Sequence, residues 1–293
     1  MFQRNRQYKL VIGDSRTGEG VAIETLHITF DVSKTADNKK TGNSAAIEVY
    51  NLSDETLKKF TKDFIVCELF CGYREIGMQR IAYGEVTTFT TRQSGADRVT
   101  QLILGEGYVA LTQQVLSTTV PSGKTVADVI EAIRLQMPGV VRGIYAGTNI
   151  NNPVVFGYPL SGSPRAMLQE VSKTYALQYT LNDSTLSVTD EGGLTENSRE
   201  AAFVLNKDTG LIELPFVTAP DGTKPKGDEA RRQGVQFKAL LNPSLIPNRI
   251  VKIESKTVNG FFKVTSTRHY GGYRDSDWYV EGYCELPPNS LLR

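Results

Sequence analysis

The sequence is poor in the residues that carry most protein chemistry. Its 293 residues include two histidines, three cysteines and one tryptophan. Three thiols cannot form a disulfide framework, because one is always left over. Cys67, Cys71 and Cys284 therefore point to folding in a reducing compartment. They lie in apolar, strand-like stretches rather than in the close turn pairs of a zinc site. Buried free thiols without metal are expected. Long hydrophobic runs are missing too. No window reaches the ~18 apolar residues of a membrane span, and the run Leu10–Ile12 is too short for a signal-peptide core. The expectation is a soluble chain made in a cytoplasm. Nor does one sign of charge dominate: 33 Lys and Arg stand against 32 Asp and Glu, for a net charge of +1. That balance excludes a basic nucleic-acid coat and a polyacidic tail, and leaves surfaces suited to meeting other proteins.

The motifs that would signal an enzyme are incomplete. Pro121-Ser-Gly-Lys-Thr125 looks like the end of a phosphate-binding loop, but Thr118 stands where the pattern needs glycine. Gly105-Glu-Gly107 runs on to Ala110 with no parallel βαβ unit around it, so a turn is the better reading. There is no zinc-protease helix and no nucleophile elbow to put a serine beside His27 or His269. His269 reads as a packed or hydrogen-bonded strand-end residue. No residue is assigned a catalytic, cofactor-binding or metal-binding role, no cofactor is expected, and the chain is not expected to be an enzyme.

What is present is strand and turn chemistry: 26 Gly, 12 Pro, 13 Tyr and 12 Phe. The predicted fold class is mainly β with an α+β insert. Residues 1–110 form one strand-rich domain, 111–199 an α/β insert and 200–293 a second strand-rich domain. From Ile23 to Val32 apolar and polar residues alternate, with Leu26, Ile28, Phe30 and Val32 on one face. Strands follow over Ala45–Leu52, Ile65–Tyr73, Gln79–Thr91 and Arg98–Leu104, with a short helix from Asp54 capped by Ser53. In the insert, Val126, Val129, Ile130, Ile133 and Met137 mark an amphipathic helix with Thr125 as cap and Pro138-Gly139 as stop. Ser163-Pro164 opens a second helix, and Leu177–Val188 is a hairpin turning near Asn182-Asp183. The last segment shows strands at Ala202–Leu205, Leu211–Leu214, Gly234–Leu240, Arg249–Lys256, Phe261–Thr267 and Trp278–Cys284. Two polar loops, 33–44 and 221–232, are expected to reach out to neighbouring molecules. The second is expected to order only on assembly, since it has almost no apolar residue to bury.

The order of these segments resembles the baseplate hub proteins of phage tails. The strand end Ile47-Glu48-Val49-Tyr50-Asn51-Leu52-Ser53 follows a loop rich in Lys and Asn, as in that family. The stretch from Gly123 to Ile133 and the helix-hairpin from Pro159 to Asp190 are similar to its two-helix insert. Leu241-Asn242-Pro243, Asn259-Gly260-Phe261-Phe262-Lys263-Val264 and His269-Tyr270-Gly271 resemble its second tube domain. The resemblance covers nearly the whole chain. It implies two tail-tube-like β-barrel domains flanking the insert. It also implies a homotrimeric ring that adapts a six-fold tail tube to a three-fold spike in the virion, assembled in the host cytoplasm. The partners it implies are the tail tube protein or tube initiator, a tail spike, a tape measure protein and baseplate wedge or sheath-side proteins. DNA would meet the chain only by passage through the channel. The end at Arg293 leaves no room for a fused lysozyme or peptidase, so a separate spike is expected. Two other readings stay open: a cell-wall-degrading tail enzyme, and a carbohydrate- or nucleic-acid-binding β-barrel protein.

Overall fold

The computed structural model of the chain describes residues 5–14, 18–38, 42–59, 65–194, 202–218 and 234–286. The loop 221–232 lies outside the described residues. The chain divides into two compact units: Met1–Lys34, Ser44–Gly105 and Ala201–Arg293 form the first, and Thr35–Asn43 with Glu106–Glu200 form the second. The two flanking strand-rich segments thus gather in one unit. Residues 106–110 and the described part of the loop 35–43 belong with the insert.

The first unit begins with β1 (Arg6–Asp14), β2 (Gly20–Ile23), β3 (Ile28–Thr35), β4 (Ser44–Tyr50), α1 (Asp54–Lys59), β5 (Ile65–Tyr73), β6 (Gly77–Ser94) and β7 (Asp97–Gly105). Alternation drives these strands. Tyr8, Leu10 and Ile12 of β1 and Ile65, Cys67, Leu69, Cys71 and Tyr73 of β5 are buried on one face at a period of two. The strand expected from Ile23 to Val32 is broken at residues 24–27. There the Tyr8 hydroxyl donates to the Leu26 carbonyl at 2.6 Å, and the Tyr50 amide donates to the His27 carbonyl at 3.0 Å. Leu26 still packs on the core, so the alternation runs on through a turn that it cannot reveal.

The second unit holds α2 (Tyr108–Thr112), β8 (Leu116–Val120), β9 (Lys124–Thr125), α3 (Val126–Leu135), β10 (Val141–Tyr145), β11 (Pro153–Val154), β12 (Tyr158–Gly162), α4 (Pro164–Thr174), β13 (Leu177–Asn182) and β14 (Thr185–Asp190). Thr125 and Asp128 make a reciprocal capping box at the start of α3, and the Val126, Val129, Ile130 and Ile133 stripe is buried. Ser163 caps α4 with proline at the first helical position. Asp183 and Ser184, both at positive φ, make the two-residue turn of the β13–β14 hairpin. One core joins the three helices to these strands.

Within the loop expected at 33–44, described residues are turned inward. Ala36, Asn38 and Asn43 are buried in the second unit. The Asn38 amide donates to the Tyr179 carbonyl at 2.9 Å. The Asn43 side chain donates to Glu106 at 2.8 Å, to the Leu181 carbonyl at 3.0 Å and to Asn182 at 2.5 Å. Glu106 also accepts from the Asp183 amide.

The chain then returns to the first unit as β15 (Phe203–Leu205), β16 (Phe216–Thr218), β17 (Gly234–Leu240), β18 (Ile250–Glu254), β19 (Asn259–Gly272) and β20 (Trp278–Glu285). Leu211–Leu214, expected as a strand, makes only a single bridge from Leu211 to Ala239. The sheet of this unit runs β16-β17-β20-β19-β3-β4-β7-β6-β5-β1-β2 without interruption. The join is β19 against β3, beyond the stretch of β19 that β18 occupies. Arg268 of β19 binds both carboxylate oxygens of Asp31 at 2.5–3.0 Å, and Tyr273 donates its amide to the Ile28 carbonyl at 2.9 Å. The Trp278 ring meets Phe30 edge to face at 5.2 Å. Two cores lie along this sheet. The first is built from β1–β7 but also takes in Leu241 and Trp278, and the second belongs to β15–β20.

Two stability predictions follow from local geometry. Ala176, just past the end of α4, is exposed and left-handed at φ 50°. Ala176→Gly relieves the Cβ crowding of that conformation and should raise stability by about 0.5–1 kcal/mol. A higher urea midpoint checks this. Asn43→Ala removes four hydrogen bonds from a buried site, the fourth being the one its Oδ1 accepts from the Thr35 amide at 3.0 Å, and should cost about 1–3 kcal/mol, read as an earlier denaturation midpoint.

Candidate assembly surface

The residues with chemical potential are scattered and mostly sealed. His269 is fully buried on β19; its Nε2 donates to the Asn242 carbonyl at 3.3 Å and its Nδ1 has no partner. Burial pushes its pKa down from 6.5 to about 4; nearby Lys34 adds to the shift and the Asn242 bond opposes it. His27 lies in the 24–27 turn, 3.7 Å from Asp275 and tilted on Tyr50 with centroids 4.4 Å apart. The two histidines thus lie in different settings, and among the described residues neither is hydrogen-bonded to a serine. Cys67, Cys71 and Cys284 are buried and unpaired, and burial pushes all three thiols up, away from the reactive thiolate. Among the described residues no three His, Cys, Asp or Glu side chains gather closely enough to hold a metal ion. No helix among them is long and apolar enough to cross a membrane.

The conspicuous feature is instead an apolar edge. β16 is one end of the long strand path and, among the described residues, pairs only with β17. Its Phe216 and Val217 are 54% and 53% exposed. Ile212 and Leu214, just before it, are also exposed, as is Phe261 of β19. This segment is held in place rather than loose. The Ile212 amide donates to the Lys238 carbonyl at 3.0 Å, Leu240 to the Gly210 carbonyl at 2.8 Å, and the Thr257 hydroxyl to the Pro215 carbonyl at 2.7 Å. Glu213 pairs with Lys238 at 3.2 Å. The main chain and the one charge are satisfied inward while the apolar side chains face water. A fixed, flat, apolar edge strand is a template for another chain unless something covers it. The other end of this path, β2, carries Gly20, Val21, Ala22 and the buried Ile23.

The strand expected over Leu211–Leu214 does not reveal which side chains face out. The structure exposes Ile212 and Leu214, and Phe216 and Val217 beyond them.

Comparison with known proteins gives the fold. No protein-family model matches the sequence, and no curated protein sequence matches it. Solved structures do. The 43 kDa tail protein of prophage MuSo2 from Shewanella oneidensis is 9% identical, with a TM-score of 0.64 over 96% of this chain and 98% of that one. A tail protein of Neisseria meningitidis MC58 is 13% identical, with a TM-score of 0.64 over 95% and 96%. An E. coli component of the type VI secretion system, described as similar in structure to the T4 bacteriophage tail proteins gp27 and gp5, is 12% identical, with a TM-score of 0.61 over 89% and 73%. The chain has the mainly β fold with a small helical insert that these tail proteins have, as the resemblance in its sequence implies.

His269 sets a pH dependence. Its folded pKa of about 4 lies below the ordinary 6.5. Between those values the unfolded chain binds a proton that the folded chain does not. Stability should therefore fall as pH drops from 6.5 to 4, by roughly 3 kcal/mol in total, and lose nothing more from this group below that. Denaturant midpoints of the parent and of His269→Gln across this window check it: the variant should lose distinctly less between pH 7 and pH 4.5.

Proposed function

We propose that this chain is a structural protein of a phage tail, the baseplate hub that closes the distal end of the tail tube. The observation that carries the reading is a likeness running end to end on both sides: the two tail proteins match over 95–98% of each chain, insert included. The two cores strung along one sheet support two tube-like barrels per chain, with the second unit as the insert between them. The division expected from the sequence, 1–110, 111–199 and 200–293, stands in this reading as two barrel-forming segments and the insert they flank.

A homotrimer satisfies the symmetry. Three chains with two barrels each present six similar modules to a six-fold tube and three equivalent faces to a spike. The exposed edge of β16 is the surface that such a ring would cover, and burial of its four apolar side chains would favour closure. In this reading the partners are the tail tube protein or its initiator, a separate spike, the tape measure protein and baseplate wedge or sheath-side proteins. DNA passes through the channel without being read. The place of the protein is the virion tail, after assembly in the host cytoplasm. No catalytic step is assigned to it. Its work is mechanical, the joining of two symmetries and the keeping of a passage for genome ejection.

Native mass spectrometry of the purified chain with its spike partner should find three copies in a closed complex. Phe216→Asp combined with Val217→Lys should leave a folded chain, by circular dichroism, that associates roughly thirtyfold more weakly. Six copies per tail tip, or a stable monomer indifferent to these substitutions, would overturn the reading. So would lysis of purified peptidoglycan by the isolated chain.

A further inference from the structure

At the base of β1 a cleft of about 560 Å³ opens to solvent, lined by Arg6, Thr25, Tyr273 and Arg274. Its chemistry is one-sided. Among the described residues neither guanidinium has a carboxylate partner. Arg6 spends its Nη atoms on main-chain carbonyls of the β19–β20 loop: Asp275 at 2.6 Å, Ser276 at 2.8 Å and Asp277 at 3.4 Å. Arg274 donates from Nη2 to the Thr25 carbonyl at 3.0 Å. These bonds neutralise no charge. They hold two cations still, side by side, in the wall of one cleft. Among the described residues Nε and Nη1 of Arg274 have no hydrogen-bond partner, nor do the hydroxyls of Thr25 and Tyr273, and Tyr273 is braced edge to face on Tyr8 at 4.8 Å.

The acids nearest this cleft are engaged elsewhere. Asp275 lies 3.7 Å from His27, Asp277 accepts from Ser276 at 3.2 Å, and Glu24 pairs with Lys9 at 3.6 Å. An immobilised guanidinium with N–H donors to spare on Nε and Nη1, flanked by hydroxyls and a second cation, suits a carboxylate. The cleft is larger than one ion needs and falls within the range of sites that take a small molecule or a peptide segment. Two fixed cations are too few for a nucleic-acid backbone, which needs a track of them.

We propose that this cleft binds an acidic peptide segment of a partner protein, with a carboxylate seated on Arg274 and balanced by Arg6. The site stands apart from the β16 edge and does not depend on the ring. It would be a second, charge-selected docking point in a chain whose other exposed feature is apolar.

The chain supplies its own reporter. Trp278 is its only tryptophan, and the Arg6 guanidinium lies 5.6 Å from the centre of its ring. Intrinsic fluorescence is titrated with a blocked tri-aspartate peptide at constant ionic strength. Inorganic phosphate and a short single-stranded oligonucleotide serve as the other ligands. A saturable change with tri-aspartate is expected, weakened roughly tenfold in Arg274→Gln. Tyr273→Phe, which keeps the ring packed on Tyr8, should weaken it less. Circular dichroism confirms that each variant is folded, and Arg274→Lys covers the case in which Gln releases the 24–27 turn. No saturable change in the parent, equal binding by the parent and every Arg274 variant, or tighter binding of phosphate or oligonucleotide than of tri-aspartate would each overturn the proposal. None of these outcomes bears on the number of copies in the ring.

Discussion

The first unit depends on one seam. Where β19 lies against β3, the two strand-rich segments of the chain stop being separate objects. Main-chain hydrogen bonds across the seam make one sheet from strands that are hundreds of residues apart in sequence. The Arg268–Asp31 pair fixes the alignment with parallel charge-assisted bonds on an exposed face. Such a pair adds modest stability where water screens it, but its planar geometry tolerates little slippage. Behind it, Trp278 fills the first core from the last described strand, and its indole meets Phe30 there. The N-terminal strands thus finish their own interior with a side chain from the far segment.

This continuity gives the fold its directional character. The strand path from β16 to β2 has two ends that differ, and β18 and β15 branch from β19 beside it. One end carries large exposed apolar side chains on a tethered strand, and the other carries Gly20, Val21, Ala22 and a buried Ile23. An isolated chain must leave both ends open, at a cost in exposed apolar area and unpaired main chain. In the proposed tail role those ends are what neighbouring molecules would cover. Burial holds the three thiols protonated and favours the neutral form of His269.

Much of this was readable from local patterns. The α3 capping box needs only Thr125 and Asp128 at the right spacing, and the Ser163-Pro164 start of α4 needs only two adjacent residues. Strand alternation placed β4, β5, β17 and β20 because each buries one face. The failures share a physical cause. The break at 24–27 keeps the alternation going while a distant tyrosine hydroxyl takes a turn carbonyl. The run at Leu211–Leu214 has the periodicity of a core strand, but which face is inward depends on what stands behind it. The loop 35–43 is polar and reads as solvated, yet Asn43 is buried because Glu106, Leu181 and Asn182 offer it partners. The five-residue α2 is too short to show a period. The seam itself has no local signature at all. Of the assembly surface, composition announced only that the surface was neutral; the apolar edge and the arginine cleft exist only once the chain is folded.

The seam also sets a clock. Asp31 and Arg268 are 237 residues apart, and a ribosome adding about 5–20 residues per second takes roughly ten seconds to most of a minute to cover that distance. Throughout that interval β3 has emerged but its partner strand does not exist, and the first core lacks its tryptophan. The second unit, whose hairpin and helices are contributed by one nearly continuous stretch, can close in the meantime. The first unit therefore closes after the second. Until Arg268 has been made, neighbouring nascent chains meet an unfinished sheet rather than a finished one.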